Sequence, residues 1–271
     1  MHSSAHHVFE VLRLVCANDE ASGVTEISRR LSLPVSTTHR ALTTLERTGY
    51  VRRTESAKYE IGNNAERLAF GLLRRFPIRE AAQPFLRQIA AATDGTTSLH
   101  VRLGWFGIRI ASIFSESDTI SKLERLGEPH LLHQSIGSTV LLTMLPSGRQ
   151  NAYRAFVASH YAQMWDKFAD ETVAAQGLEI RRSGFAYERA APMHDVFAVP
   201  VRDPDGCAIA AVTVQRMKPG RAPIATDSQL VQCMDVVSRL ESVVRSKMDA
   251  LRDPYAHLDP DTILLDVKSI H

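Results

Sequence analysis

The side chains of residues 36–47 are of the types that form hydrogen bonds with phosphates and base edges. The small and apolar residues of this stretch recur at helical spacing and are predicted to face inward: Thr38, Ala41, Leu42 and Leu45. The outward face then carries donors and no carboxylate: Ser36, Thr37, His39, Arg40, Thr43, Thr44 and Arg47. Such a face suits the major groove of duplex DNA, and the forked guanidinium of Arg40 matches two acceptors of guanine.

A helix-turn-helix would hold this face in place. Ile27 and Leu31 lie four residues apart on a first short helix, and the residues that follow Leu31 are predicted to form the turn. Pro34 cannot continue the first helix, and the hydroxyl of Ser36 can accept an orphan amide proton at a helix start. The second helix is therefore predicted to begin near Val35 and to enter the major groove with its N-terminal residues.

Two short strands follow, residues 50–53 and 58–61, and the polar turn between them gives the pattern of a wing. Its basic residues are predicted to contact the DNA backbone: Arg52, Arg53 and Lys58. Residues 28–58 contain seven basic side chains and two acidic ones, which is the local excess expected of a DNA-binding surface. The alternative is that these charges are solvated on a small helical domain that does not bind DNA.

The composition predicts a globular protein of about two domains. The chain has 271 residues, of which 44% are hydrophobic and 23% charged, and its formal net charge is only +2. Three cysteines lie far apart, which predicts small apolar packing and no zinc site: Cys16, Cys207 and Cys233. The sequence has neither an apolar leader nor a run of about eighteen apolar residues, which predicts a protein of the reducing cytoplasm without a membrane segment.

Helical patterns open the remainder of the chain. A linker helix is predicted over residues 63–75, where apolar residues recur at helical spacing. The next helix, residues 78–93, is predicted to break or kink at Pro84 and to end at Asp94-Gly95. One side of this helix is predicted to be buried: Ala81, Phe85, Ile89 and Ala92.

Two hairpins and three further helices complete the predicted domain. The strands are residues 97–103, 108–114, 196–202 and 207–215, and the helices are residues 139–145, 151–177 and 227–251. Helices that lie between hairpins, rather than between parallel strands, predict an α+β fold with an antiparallel sheet.

Three segments resemble the IclR family of transcriptional regulators. They read STTHRALTTLERTGY at residues 36–50, LLHQSIGSTVLLTMLP at residues 131–146, and IRRSGFAY followed by FAVPVRDPDGCAIAAVTV within residues 180–214. The resemblance covers about residues 8–250. It implies four parts: a winged helix-turn-helix domain (1–62), a linker helix (63–76), a GAF-like effector-binding domain (77–251) and a C-terminal tail (252–271).

The resemblance further implies a sequence-specific repressor or activator that binds operator DNA as a homodimer or as a tetramer, a dimer of dimers. Its C-terminal domain would bind a small organic or aromatic acid, and no catalysis, metal or cofactor is implied. The implied ligand pocket consists of Ser135, Ile136, Gly137, Ser138, Glu188, His194, Val196, Thr213 and Gln215.

The chemistry of these positions agrees with an acid ligand. Backbone amides near a glycine at a helix start can cradle a carboxylate, and neighbouring hydroxyls add donors, a role that Ser135, Gly137 and Ser138 fit. The alternative for this segment is ordinary helix capping by one of the two serines. For His194 the alternative is a hydrogen-bonded histidine with no ligand contact.

Two other classes of protein stay open. An enzyme fused to a DNA-binding domain would need a catalytic constellation, and the sequence contains no nucleophile-elbow, zincin, P-loop or dinucleotide-binding motif. His130 and His133 are too few for a metal site and are interpreted as structural or exposed, while Cys207 is interpreted as a core residue. An architectural DNA-binding protein without a ligand is the other alternative. We expect a ligand-responsive regulator.

Overall fold

The computed structural model describes residues 4–18, 20–73, 76–115, 126–164, 167–191, 194–217 and 228–246. Residues 167–169, 172 and 189–191 are described by their backbone alone. The chain divides into two compact units, Met1–Arg75 and Phe76–His271. The predicted tail, residues 252–271, lies outside the described residues, as do the last residues of the predicted linker helix and final helix.

The first unit is a winged helix-turn-helix. Its elements are α1 (Ser4–Ala17), α2 (Val24–Leu31), α3 (Val35–Arg47), β1 (Val51–Arg53), β2 (Tyr59–Ile61) and α4 (Asn63–Leu73). The strands β1 and β2 pair antiparallel, and Ser22 adds one bridge to Tyr59 just before α2 begins. The predicted wing and the predicted start of the second helix are confirmed.

One face of α3 is buried, and it is the predicted face. Its buried residues are Thr38, Ala41, Leu42 and Leu45. They share a core with Val11 and Val15 of α1 and with Ile27 of α2. Because this face is fixed on two helices, the opposite face of α3 is held outward.

The turn between α2 and α3 is closed by local hydrogen bonds. Ser32 ends α2 in the left-handed conformation, with φ of 53°, and Ser28 Oγ donates a 2.6 Å hydrogen bond to Leu33 O. The predicted capping role of Ser36 is wrong. Pro34 is the N-cap residue of α3 and no side chain caps the helix, because Ser36 already lies within its first turn.

Two glycines hold the end of α3 to the start of α4. Gly49 has φ of +72°, and its carbonyl oxygen accepts the N–H of Asn64 at 3.0 Å. A Cβ atom on Gly62 would lie 2.5 Å from the oxygen of Gly49, so only glycine fits there. The side-chain amide of Asn64 donates a 2.8 Å hydrogen bond to Thr48 O. The start of α4 is therefore fixed relative to the recognition helix.

The second unit contains a six-stranded antiparallel sheet, which confirms the predicted α+β fold. Its strands are β3 (Thr96–Leu103), β4 (Phe106–Ile113), β5 (Pro129–Leu131), β6 (Ala186–Ala191), β7 (His194–Arg202) and β8 (Ala208–Met217). Their spatial order is β5-β4-β3-β8-β7-β6. The helices of this unit are α5 (Pro77–Thr93), α6 (Ile136–Thr143), α7 (Ser147–His160), α8 (Lys167–Ser183) and α9 (Ser228–Ser246).

Each face of the sheet has its own apolar core. On one face Leu99 and Val212 pack with residues of α5 and α9. On the other face Val196 and Ala211 pack with Ile136 and its neighbours on α6. Because alternate residues of a strand point to opposite faces, Ser98 and His100 of β3 and Thr213 of β8 lie on the α6 side.

Several predicted elements differ from the observed ones. The helix α5 runs unbroken through Pro84, and its buried stripe is Ile78, Ala82, Leu86, Ile89 and Thr93 rather than the predicted side. Both sides of this helix are apolar, so contact with the sheet selects the stripe. The single predicted helix over residues 151–177 is two helices, α7 and α8, and the short edge strands β5 and β6 were not predicted.

The cysteines also differ from the prediction. Cys233, on α9, is buried in the apolar core that this helix forms with the sheet, but Cys16 is exposed and Cys207 is only half-buried. The predicted core position is therefore wrong for two of the three. Cys207 closes the turn before β8, where its N–H donates a 2.8 Å hydrogen bond to Asp203 Oδ1.

We expect Gly62→Ala to destabilise the first unit by about 1–3 kcal/mol, because the added Cβ would overlap the carbonyl oxygen of Gly49. Gly71→Ala is the matched control, since Gly71 lies in α4 with open space around the added atom and gains about 1 kcal/mol in helix propensity. Amide hydrogen exchange of α3 in the full chain measures both effects. Equal protection of α3 in the two variants would contradict the expectation.

Candidate nucleic-acid interface and ligand site

The outer face of α3 presents every residue of this helix that was predicted to contact DNA. Six are exposed and Thr37 is half-buried: Ser36, Thr37, His39, Arg40, Thr43, Thr44 and Arg47. The hydroxyls of Thr43 and Thr44 donate to His39 O at 2.9 Å and to Arg40 O at 3.0 Å, which fixes their rotamers. Arg40 Nε lies 3.4 Å from Ser36 O, a distance too long for a strong bond. The guanidinium of Arg40 can therefore exchange this contact for a base edge at little cost.

The wing carries three exposed cations, and they are not equivalent. Arg52 Nε forms a 2.9 Å ion pair with Glu60 on the paired strand. Arg53 and Lys58 form no ion pair with any residue that the structure describes. The charges available to a phosphate are therefore mainly those of Arg53 and Lys58, and Arg52 contributes less than the sequence predicted.

In the second unit, the start of α6 lies directly on the sheet. A Cβ atom on Gly137 would lie 2.8 Å from Thr213 Cγ2 and 3.0 Å from the ring of His100. A Cβ atom on Gly107 would overlap the side chain of Ser138. Because neither glycine has a side chain, the first turn of α6 approaches the polar residues of β3 and β8 closely.

A hydrogen-bonded cluster surrounds this first turn. His130 Nε2 lies 2.7 Å from Ser138 Oγ and 2.8 Å from Ser135 Oγ. His100 Nε2 lies 3.1 Å from Thr213 Oγ1. Ser135 is also the N-cap residue of α6, since its Oγ accepts the N–H of Ser138 at 3.4 Å. The capping alternative is confirmed, and the capping serine is at the same time part of the cluster.

The electrostatics of the cluster keep both imidazoles neutral near pH 7. Burial lowers the pKa of His130 to about 4, and the nearby charge of Arg109 adds to this effect. Burial and then Arg109 also hold the pKa of His100 well below its usual value. Arg109 is directly paired with His100 across β3 and β4 and is only 5% exposed. Neutral donors and acceptors around a buried guanidinium suit the carboxylate of a small acid.

The structure places the other predicted pocket residues along the same face, farther from α6. Gln215 pairs with Val196, and Val196 pairs with Glu188, in one row across three strands. The Nε2 atom of Gln215 is buried and has no hydrogen-bond partner in the described part of the chain. Glu188 is exposed, and His194 is half-buried at the start of β7. Neither of them contacts the cluster.

Sequence reasoning missed three members of the cluster: His100, Arg109 and His130. A signal for His100 is present in β3, where Ser98 and His100 alternate with Leu99 and Val101 although the strand is buried along most of its length. Polar residues on a buried face indicate a site. The contacts of His130 with two serines come from tertiary structure, which the interpretation as a structural or exposed residue did not anticipate.

His133 is structural, as interpreted from the sequence. Its Nδ1 lies 2.6 Å from Tyr153 OH and its Nε2 lies 2.8 Å from Met164 O. Ser138 and His130 have the spacing of a nucleophile and a base. However, Ser138 is 0% exposed beneath Gly107, and the lowered pKa makes His130 a weak base. The arrangement is suited to binding rather than to acyl transfer.

Two searches of the described residues bear on other functions. They contain no group of three or more His, Cys, Asp or Glu side chains arranged to hold a metal ion. No helix among them is long and apolar enough to cross a membrane.

Comparison with known families matches both units. The family model of the IclR helix-turn-helix domain matches residues 4–55. The model of the bacterial transcriptional regulator IclR C-terminal domain matches residues 70–226. The chain is 27% identical to the HTH-type transcriptional regulator BhcR of Paracoccus denitrificans over 228 residues, 81% of this chain and 80% of the relative. It is 25% identical to XynR of Escherichia coli over 79% of this chain and 86% of the relative.

Solved structures share the fold. The IclR protein of Thermotoga maritima aligns with a TM-score of 0.68 and 22% identity, over 90% of this chain and 98% of that one. An IclR homologue from Microbacterium hydrocarbonoxydans, complexed with 4-hydroxybenzoate, aligns with a TM-score of 0.72 and 19% identity, over 92% of this chain and 99% of that one.

We expect the second unit to lose stability as the pH falls from about 6.5 to about 4. In this range the unfolded chain binds a proton that His130 excludes, at a cost of about 1.4 kcal/mol per pH unit, and His100, whose pKa is also lowered by burial, adds to the loss. His130→Gln should make this loss shallower. The free energy of unfolding at each pH is measured by urea denaturation, with tryptophan fluorescence as the signal, since Trp105 and Trp165 both belong to the second unit.

The matched control is His39→Gln, which replaces an exposed histidine of the first unit. It should leave the pH dependence of the second unit unchanged. If His130→Gln and the unmodified protein lose stability equally between pH 6.5 and 4, His130 is not the buried neutral group described above.

Proposed function

Because the chain belongs to the IclR family of bacterial transcriptional regulators, we propose that a small organic acid controls its binding to operator DNA. The observation that carries this proposal is the buried cluster at the start of α6, where Arg109 supplies the charge that a carboxylate needs. A structural relative was solved with 4-hydroxybenzoate. Aromatic monocarboxylates are therefore the first ligands to test.

The acid would lie with its carboxylate against the first turn of α6. Gly137 supplies a backbone amide and a close approach, and Ser135 and Ser138 supply hydroxyls, since the N–H of Ser138 is already bonded to Ser135 Oγ. Thr213 and the amide of Gln215 form the wall contributed by β8, and the buried Nε2 of Gln215 is a donor for a second polar group of the ligand.

The remaining predicted residues extend the site along the sheet. Ile136 and Val196 belong to the apolar core beneath the cluster and would pack against the carbon skeleton of the ligand. Glu188 and His194 lie at the outer end of the row and are proposed as rim residues, because one is exposed and the other half-buried.

In the first unit, α3 is proposed to read the major groove and the wing to contact the backbone. The exposed donor face from Ser36 to Arg47 supports the first role, and the second is supported by Arg53 and Lys58, which form no ion pair among the described residues. A helix of this length contacts only a few base pairs. Two half-sites are needed for the affinity of a specific regulator.

A homodimer is therefore part of the proposal, and α4 is the proposed contact. No residue of α4 is buried within the chain, although Leu68 is 49%, Phe70 69% and Leu72 47% exposed. Exposed apolar residues grouped on one short helix indicate a surface that another subunit covers. Because α4 starts at the end of the wing, two α4 helices in contact would set the spacing of two recognition helices.

We expect Arg40→Ala and Arg47→Ala each to weaken binding to the duplex upstream of the gene by about 1–3 kcal/mol. Arg40→Ala should also reduce discrimination against a scrambled duplex, because Arg40 is the proposed base contact. Fluorescence anisotropy at two salt concentrations measures both quantities. Arg87→Ala, which removes an exposed arginine of the second unit, is the control. Unchanged affinity in both α3 variants would show that α3 docks by another face.

We expect Gly137→Leu to abolish the effect of an acid on DNA binding and to leave DNA affinity intact. The added side chain would clash with Thr213 and with the ring of His100, so it would displace the first turn of α6 from the proposed ligand site. The measurement is anisotropy of the operator duplex titrated with a panel of acids that includes 4-hydroxybenzoate. Gly148→Ala, with open space around the added atom, is the control.

The outcomes of this experiment separate the alternatives. If the response survives in Gly137→Leu, the ligand binds elsewhere. If no acid of the panel shifts the anisotropy or the melting temperature of the unmodified protein, the proposal of a ligand-controlled regulator fails and an architectural protein is favoured.

A further inference from the structure

A groove of about 490 Å³ runs between α1 and α3, and the proposed DNA-reading mechanism assigns no role to its α1 wall. The residues that line this α1–α3 groove are Ser4, His7, Val8, Thr37, Arg40, Ala41 and Thr44. One wall is the first turn of α1. The other wall is a flank of α3, and Thr37, Arg40 and Thr44 belong both to this wall and to the proposed DNA-contacting face.

The groove has the chemistry of an anion site. None of its seven described lining residues is acidic, whereas one guanidinium, one imidazole and three hydroxyls line it. The first turns of α1 and of α3 contain no acidic residue. One turn farther along α1, Glu10 is held by Arg13 at 3.0 Å. Thr37 Oγ1 forms no hydrogen bond within the described residues and is available to a ligand.

The dimensions of DNA place a phosphate strand beside this groove. A helix with its side chains is roughly 10–12 Å across, and the major groove is about 12 Å wide. A helix that enters the groove therefore has a sugar-phosphate backbone against each flank. The flank with Thr37, Arg40 and Thr44 must face one of the two backbones, and α1 then stands on the far side of that backbone's phosphates.

We propose that the α1–α3 groove seats a backbone phosphate of the operator, held between His7 on α1 and Arg40 on α3. This inference rests on the proposed docking of α3 in the major groove. It gives α1 a contact with the DNA backbone that is separate from the contacts of the wing. A second copy of the chain is a poorer occupant, because five of the seven described lining residues are polar and the exposed Phe9 of α1 does not line the groove.

The test uses charge changes at two adjacent histidines. His7 lines the groove and His6 does not, although their rings are only 6.0 Å apart. His7→Glu places a carboxylate in the groove and should weaken DNA binding about tenfold. His6→Glu carries the same change of charge and should weaken binding by less than about threefold. His7→Arg should tighten binding and steepen the slope of log affinity against log salt by about 0.9.

Because phosphate contacts are independent of sequence, the affinity changes should be equal on the upstream duplex and on a scrambled duplex of the same length. Full-length protein and fluorescence anisotropy from 50 to 200 mM salt are used. The inference is overturned if His6→Glu and His7→Glu weaken binding equally, or if His7→Arg leaves both affinity and salt slope unchanged. It is also overturned if sedimentation shows that His7→Glu dissociates the dimer, since the groove would then belong to a subunit contact.

These results are distinct from failure of the proposed function. If the unmodified protein binds neither duplex at 50 mM salt, DNA binding itself fails and the groove has no phosphate to seat. If the unmodified protein binds DNA and Arg47→Ala weakens that binding, the proposed docking of α3 is supported. The effects of the His7 substitutions then test only the phosphate site in the α1–α3 groove.

Discussion

Both functional surfaces depend on close backbone contacts that only glycine allows. In the first unit a Cβ atom on Gly62 would lie only 2.5 Å from the oxygen of Gly49. Because Gly62 has no side chain, the end of the wing packs directly against the end of α3. In the second unit Gly107 admits Ser138, and Gly137 admits the ring of His100. A side chain at any of these positions would clash with the neighbouring element. The two elements would then have to move apart, and the hydrogen bonds between them would be lost. The donor face and the ligand cluster both follow from these approaches.

The buried polar side chains on one face of the sheet lower the stability of the second unit. Ser98, His100, Arg109 and Thr213 are buried where apolar residues would be more stable. Hydrogen bonds offset part of this cost, such as the 2.8 Å bond between the hydroxyls of Ser98 and Ser112 and the contact of His100 with Thr213. The opposite face of the same strands is filled with aliphatic side chains. Ser98, His100, Arg109 and Thr213 lie together on the side that α6 covers, whereas Thr97 and Arg216 are buried polar residues of the opposite face.

The parts of the fold that could be predicted are those with local causes. The start of α3 and its buried face follow from Pro34 and from helical spacing, and both were predicted correctly. The buried side of α5 could not be predicted, because both sides are apolar and the sheet decides between them. The proposed ligand cluster could likewise be predicted only in part. Gly137 could be identified from its segment, whereas His130 joins it only because β5 pairs with β4 and brings the ring to the start of α6.

The proposed control of DNA binding by a ligand places a requirement on how the units communicate. The chain passes from α4 to α5 once, and the first turn of α5 is attached to the sheet, since Arg79 Nε donates a 2.9 Å hydrogen bond to Ile110 O. Ile110 follows Arg109, the charged member of the ligand cluster. A ligand that changes the position of β4 thus acts on the strand to which α5 is bonded. It alters operator occupancy only to the extent that it prefers one arrangement of that strand, and a ligand that binds two arrangements equally well changes nothing, however tightly it binds.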